Sequence, residues 1–301
     1  MAITPDRQPF IQPINAAWYE NKVTGVDMLR LDVIHKHVSG NKWFKLKYNI
    51  EHCILEGIDT VLTFGGAYSN HLAATAAMAN LNGIRSIGVI KGKYAEHSLT
   101  STLQFCTDNG MYLHFVTNET YSRKNDPDFL KELSDMFATP LIIPEGGANE
   151  MGIIGAGEIA DLIPADYTHI AVSVGTGSTL SGIVNNTGNE LWTIGYAPMK
   201  GGSYLGKEVS RLIRPEKRDA YRIYDDWHFG GVGRYTDELT MFMNNFYGQN
   251  GIPLDMVYTA KMMFGLKEQI LRGDYPDEVR ILCIHTGGLQ GNQSIADKLI
   301  F

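Results

Sequence analysis

Cysteine is scarce in this 301-residue chain: Cys53, Cys106 and Cys283 stand far apart, with no C-x-x-C pair among them. That excludes a disulfide framework, offers no thiolate metal site, and suits a reducing cytosol. No uncharged run approaches the ~20 residues that a membrane-spanning helix needs. The opening Met-Ala-Ile-Thr-Pro-Asp-Arg lacks the apolar core of a secretory signal. Basic residues are in deficit, 26 Lys and Arg against 33 Asp and Glu, so the net charge of −7 leaves no footprint for nucleic acid. No internal repeat, low-complexity linker or block of like charge interrupts the chain. A cytoplasmic protein with neither a membrane nor a nucleic acid as partner is the expectation.

What is present is an ordinary soluble composition, 44% hydrophobic and 20% charged, long enough for one large or two smaller domains. Glycine is the exception: 32 residues, roughly 11% against a usual ~7%, which implies tight turns or close approaches of backbone to ligand.

Residues 1–38 read as irregular, with short strand-like pieces such as 27–32. From residue 42 helical and strand-like runs alternate. Strands are expected at 60–64, 86–90, 111–116, 141–143, 169–174, 192–197, 222–227 and 280–285. Helices are expected at 42–57, 69–81, 99–107, 127–137, 152–161, 205–212, 236–248 and 259–272. Such alternation implies βαβ units, hence parallel sheet covered by helices on both faces. Glycine breaks at 144–149 and 175–177 suggest two open α/β lobes with a cleft between them, and ligands of such sheets bind beyond the carboxyl ends of strands.

Four stretches carry polar chemistry. Ser39-Gly40-Asn41-Lys42 leads into a helix whose apolar face is Trp43, Leu46, Ile50 and Ile54. Ser39 or Asn41 would cap it, putting Lys42 in the first turn, where the helix dipole disfavours a cation and helps expose a neutral amine. The plain alternative is a solvated lysine beside Lys45 and Lys47. The loop Gly175-Thr176-Gly177-Ser178-Thr179 leaves a strand and opens a helix, the setting for a phosphate monoester. It is neither the dinucleotide pattern, since Leu180 stands where a third glycine is due, nor a P-loop. Gly65-Gly66-Ala67-Tyr68-Ser69-Asn70-His71 offers caps or a grip on a substrate carboxylate. Finally Tyr258-Thr259-Ala260-Lys261 and His285-Thr286-Gly287-Gly288 stand at a helix start and a strand end. Tyr258 is either core or site, Thr286 points to the cleft, His285 reads as buried and hydrogen-bonded, and Lys261 as a solvated helix lysine.

Together these stretches resemble the 1-aminocyclopropane-1-carboxylate (ACC) deaminase/D-cysteine desulfhydrase family of fold type II pyridoxal-phosphate enzymes. Five motifs fall in family order over roughly residues 25–290. The resemblance implies that Lys42 carries the cofactor covalently and moves protons, and that Gly175, Thr176, Gly177, Ser178 and Thr179 cradle its phosphate. Asn70 would lie near the cofactor's phenolic oxygen, Ser69 with Asn70 and His71 would meet the substrate, and Tyr258 would stand near the reacting atoms. Thr259 and Thr286 match two positions around the pyridine nitrogen. ACC deaminases typically have Glu and Leu there, and a carboxylate would keep the ring protonated as a deeper electron sink. Threonine suits β-elimination of D-cysteine to pyruvate, ammonia and sulfide. A tyrosine usual in ACC deaminases is missing near 230–233, with Tyr235 displaced from it. Phe44 and Tyr68 replace the usual Arg and Gln, and an Arg-Asp-Asp stretch is reduced to Arg30-Leu31-Asp32. The family implies a homodimer, and no metal is expected. The expected division is a larger cofactor-binding lobe of 1–45 plus 150–301 and a smaller inserted lobe of 46–149. The alternatives are ACC deaminase and, in another class, a non-catalytic phospho-ligand binder using 175–182 alone.

Overall fold

A computed structural model describes residues 4–202 and 204–301. In chain order the elements are β1 (Ile11–Pro13), β2 (Gly25–Arg30), α1 (Asn41–Glu56), β3 (Thr60–Gly65), α2 (Asn70–Leu81), β4 (Arg85–Lys91), α3 (Ser101–Asp108) and β5 (Met111–Val116). There follow α4 (Asn118–Ser122), α5 (Pro127–Met136), β6 (Leu141–Ile143), α6 (Glu150–Gly157), β7 (His169–Ser173), α7 (Ser178–Asn186) and β8 (Trp192–Tyr196). The last are α8 (Tyr204–Leu212), β9 (Tyr221–Tyr224), α9 (Asp237–Asn250), α10 (Thr259–Arg272) and β10 (Arg280–His285).

The strands form two sheets. One has the order β1-β2-β10-β7-β8-β9, the other β5-β4-β3-β6. All pairings are parallel except β1 with β2. This is the α/β class expected from the alternation of runs. The central strands β2 and β3 are buried along their whole length, as strands covered on both faces must be. Among the described residues no helix is long and apolar enough to cross a membrane.

Helix α1 ties the sheets together. Its Trp43, Leu46, Ile50 and Cys53 share one core cluster with Ile170, Val172 and Ile284 of the larger sheet and with Val61 and Ile143 of the smaller. The expected fourth member of the apolar face, Ile54, is instead 42% exposed, and Cys53 takes its place in the core. Its crossing with α6 is close: a side chain at Gly155 would meet the Phe44 carbonyl at 2.0 Å. Because α1 runs unbroken across residues 45 and 46, we propose that the smaller lobe begins after this helix rather than within it.

Other differences are local. α6 gives way to a 3-10 turn at Glu158–Leu162, short of the longer helix expected there. β9 ends at Tyr224, before the aspartates that follow it. α4 was not foreseen, since five residues capped by Thr117 are too few to show a helical period.

Candidate active site

Loops from both sheets close around a cavity of about 950 Å³. Lys42 lines it as the second residue of α1, so the expected first-turn placement holds. The cap does not. Gly40 takes the N-cap position at φ 63°, ψ −146°, and neither Ser39 nor Asn41 bonds the helix end. Only glycine fits: a Cβ at Gly40 would lie 1.9 Å from the Thr286 carbonyl oxygen. The start of α1 thus presses directly against the end of β10. Asn41, the supposed cap, points across the cleft, where its Nδ2 donates to Thr179 Oγ1 at 2.8 Å and its Oδ1 accepts from Lys42 Nζ at 3.1 Å.

The Lys42 ammonium is lowered to about 8, chiefly by burial, with the Asp255 carboxylate working in the opposite direction. Desolvation outweighs the helix-dipole argument as the cause. Three residues on, Lys45 projects into the same cavity and is only 2% exposed. Burial first, and then the Lys42 charge, push it well below its ordinary value. Two amines that repel each other in one cleft call for an anionic guest. The motifs that the sequence singles out give Lys45 no role, and only its (i, i+3) spacing from Lys42 on one helix face marks it.

The glycine loop 174–177 lines the opposite wall. Gly177 is left-handed at φ 84° and turns the chain into α7. The Thr176 and Ser178 hydroxyls bond each other at 3.0 Å. The Ser178 side chain is fully buried beneath the loop and is not among the lining residues, and its hydroxyl supports Thr176 from below. Tyr258 stands over the loop, its ring 3.5 Å from where a Cβ of Gly175 would be. Burial first, then Asp255 and Glu145, raise its phenol to about 12, so it is a hydrogen-bond donor and not a base at neutral pH.

On the smaller sheet Ser69 caps α2, accepting from Leu72 N at 3.3 Å, and still lines the cavity beside Asn70 and His71. His71, expected to meet the substrate, lines the cavity but offers no donor to a carboxylate. The Thr63 hydroxyl donates to the Ile143 carbonyl at 2.7 Å, so at the 2.8 Å contact His71 Nε2 is the donor. Burial, followed by Lys42 and Lys45, holds the ring neutral, which leaves Nδ1 as a bare acceptor that would repel a carboxylate. Thr286 lines the cavity, whereas Thr259 does not. The Thr259 hydroxyl donates to Asp255 Oδ2 at 2.7 Å, and that carboxylate also accepts the backbone N–H groups of Val257, Tyr258 and Thr259. Asp255 thereby fixes the start of α10, a device visible in sequence only as an acid four residues before a helical run. His285 is buried as expected, its Nε2 2.7 Å from the Pro253 carbonyl. Tyr235, displaced in sequence from the usual tyrosine position, nonetheless lines the cavity.

The buried Asn70 Oδ1 and Ser173 Oγ have no partner among the described residues, and both residues line the cavity. Each such group costs about 1–3 kcal/mol, a penalty that a polar ligand relieves. A lysine of lowered pKa, a second buried amine, a glycine loop at a helix start and unpartnered amide and hydroxyl groups fit pyridoxal phosphate, which needs an amine for its aldehyde and donors for its phosphate.

Comparison with known proteins agrees. A family model described as "Pyridoxal-phosphate dependent enzyme" matches residues 28–287. The chain is 28% identical to a Pyrococcus horikoshii protein named "Putative 1-aminocyclopropane-1-carboxylate deaminase", over 97% of this chain and 94% of that one. A Pyrococcus abyssi protein of the same name is 29% identical over 94% and 91%. A crystal structure described as the ACC deaminase homologue superposes with a TM-score of 0.83 at 28% identity, covering 98% of this chain and 93% of that one. A hydrogen sulfide-producing enzyme from Fusobacterium nucleatum shares the fold, with a TM-score of 0.66 at 14% identity over 94% and 96%.

Proposed function

The chain belongs to the pyridoxal-phosphate-dependent enzymes, of the ACC deaminase/D-cysteine desulfhydrase type, and on that premise we propose that it catalyses β-elimination from a small amino acid, with D-cysteine as the expected substrate. Bound pyridoxal phosphate supplies an electron sink for the substrate's α-carbon. The residues of this chain supply the rest. Lys42 Nζ holds the cofactor and, once released, takes the α-proton, for which a pKa of about 8 suits it. Gly175, Thr176 and Gly177 receive the phosphate, with Thr179 steadied by Asn41 and with Lys45 supplying positive charge. Ser69 and Asn70 hold the substrate carboxylate at the start of α2. Tyr258, a protonated phenol, donates to the departing group. The C–S bond breaks with its electron pair on sulfur, which leaves as sulfide, and water releases pyruvate and ammonia from the remaining three carbons.

The observation that carries the choice of substrate is the wall at Thr286. Among the described residues that line the cavity Glu145 is the one carboxylate, and it pairs with Lys124 at 2.9 Å. Asp255 is saturated by three N–H groups and a hydroxyl. A threonine hydroxyl gives a hydrogen bond without a charge, which favours substrates that have a good leaving group. The relatives' names favour ACC as a second reading, and Tyr235 on the cavity wall supports it by supplying a tyrosine near the usual position.

Incubating the holoenzyme separately with D-cysteine, L-cysteine and ACC separates the readings. Sulfide with pyruvate from D-cysteine is the expected result. Release of 2-oxobutanoate from ACC without sulfide from either cysteine would replace the substrate and keep the cofactor chemistry. No product, and no visible absorbance after incubation with pyridoxal phosphate, would leave only a phospho-ligand binder.

A further inference from the structure

Lys261 lies three residues beyond Tyr258 on α10 and is only 2% exposed, not the solvated lysine that its position in a helical run suggested. Its Nζ donates to two backbone carbonyls, His228 at 2.9 Å and Gly231 at 2.7 Å. The segment it holds is unusually turned. Phe229, Gly230, Gly231 and Gly233 all have positive φ, at 49°, 90°, 119° and 69°. The hydrogen bonds found within this segment are local: Gly230 N to His228 Nδ1, Gly231 N to the His228 carbonyl, and Arg234 N to the Gly231 carbonyl.

The same face of α10 supplies the apolar part of the dock. Phe229 meets Phe264 edge-on with ring centroids 5.0 Å apart, and Trp227 fills the space where Gly265 lacks a side chain. On its other side the segment delivers Val232, Gly233 and then Tyr235 to the cavity wall. One helix is therefore preceded by Tyr258 at the glycine loop and, within its first turn, anchors the segment that brings Val232 and Tyr235 to the cavity.

We propose that Lys261 is a positioning residue for the substrate: by holding the 228–233 turn it fixes Val232 and Tyr235, the wall that selects the amino-acid side chain. This rests on the lyase reading above only for which ligand meets the wall. Burial lowers the Lys261 amine to about 8, with Asp255 opposing. Charged or neutral, it keeps at least two N–H donors, one for each carbonyl, so the tether survives titration.

Lys261→Met keeps the length and removes both donors. In the holoenzyme the expected result is a KM raised about tenfold or more with kcat within about threefold. The cofactor dissociation constant and absorbance should stay unchanged, and faster amide exchange should be confined to 228–235. Lys261→Arg, which retains donors, should recover part of the KM. An unchanged KM and exchange pattern would overturn the proposal, as would loss of cofactor affinity in parallel with the KM rise. If Lys261→Met does not fold, Gly231→Ala perturbs the same turn at φ 119°, where the added methyl meets no close neighbour, and a normal KM in that variant would equally refute the tether. If no amino acid is turned over, the lyase reading fails by itself. Amide exchange at 228–235, with D-cysteine binding followed through cofactor absorbance, then decides about Lys261 alone.

Discussion

Asn41 Nδ2 donates to Thr179 Oγ1 at 2.8 Å across the cleft, and through its Oδ1 the same amide holds Lys42 Nζ at 3.1 Å. One side chain thus joins the Lys42 amine to the first turn behind the glycine loop, the two ends at which the cofactor is proposed to be held. The bond is buried, so removing it strands the Thr179 hydroxyl as well as losing the contact. Asn41→Ala should weaken cofactor binding by about 1–3 kcal/mol, roughly five- to 150-fold. Equilibrium dialysis against pyridoxal phosphate reads this, and an unchanged affinity would show that the two ends are positioned independently.

The Lys42 amine predicts a pH dependence for covalent capture of the cofactor. Burial destabilises the ammonium form, so the folded-state pKa lies below the usual lysine value, at about 8. The neutral nucleophile therefore grows in as pH rises through about 8, and is already about a quarter of the population near pH 7.5, against about 0.1% for an unperturbed lysine. Stopped-flow absorbance of apoprotein mixed with pyridoxal phosphate should give a capture rate rising with pH and levelling off above about 9. A rate still climbing steeply at pH 10 contradicts the assigned environment.

Lys45 should matter through charge alone. Its amine is buried beside Lys42 and repelled by it, so an anion in the cavity relieves both. Inorganic phosphate is the simplest probe. It should raise the melting temperature of the apoprotein, and the increment should shrink or vanish in Lys45→Met, whose own stability without phosphate should equal or exceed that of the parent because a desolvated charge is gone. An equal phosphate increment in both proteins would remove Lys45 from the anion site.

Much of this architecture was legible because its signals are local. Strands at Met111–Val116, Leu141–Ile143 and Arg280–His285 begin and end at the residues their apolar runs suggested, since turn residues bound each run. The glycine-rich strand ends read as ligand loops for the same reason. What escaped depends on partners distant in sequence. Nothing around Lys261 announces that the carbonyls of His228 and Gly231 will surround it. Nothing in the stretch from Gly65 to His71 shows that Thr63 will commit its proton to Ile143 and so reverse the polarity of His71. Thr259 looked like a ligand-facing residue because the partner of its hydroxyl, Asp255, reads locally as a loop acid.

Gly40 offers the sharpest test of how the site is assembled. Its φ of 63° and ψ of −146° lie in a region essentially reserved for glycine, which already costs an alanine about 1–3 kcal/mol. The added Cβ would also fall 1.9 Å from the Thr286 oxygen and 2.5 Å from Gly287 N, both backbone atoms that no rotamer change can move aside. Asn41 N donates to that same Thr286 oxygen at 3.3 Å, so relief by separation breaks the contact between α1 and the end of β10. Gly40→Ala should therefore displace Lys42 from the cavity before it unfolds the sheets, whose strands pair without Gly40. The expected protein keeps its far-ultraviolet circular dichroism, melts several degrees lower, and fails to develop visible absorbance with pyridoxal phosphate. Normal cofactor absorbance in this variant would mean that α1 reaches the cleft without the Gly40–Thr286 contact.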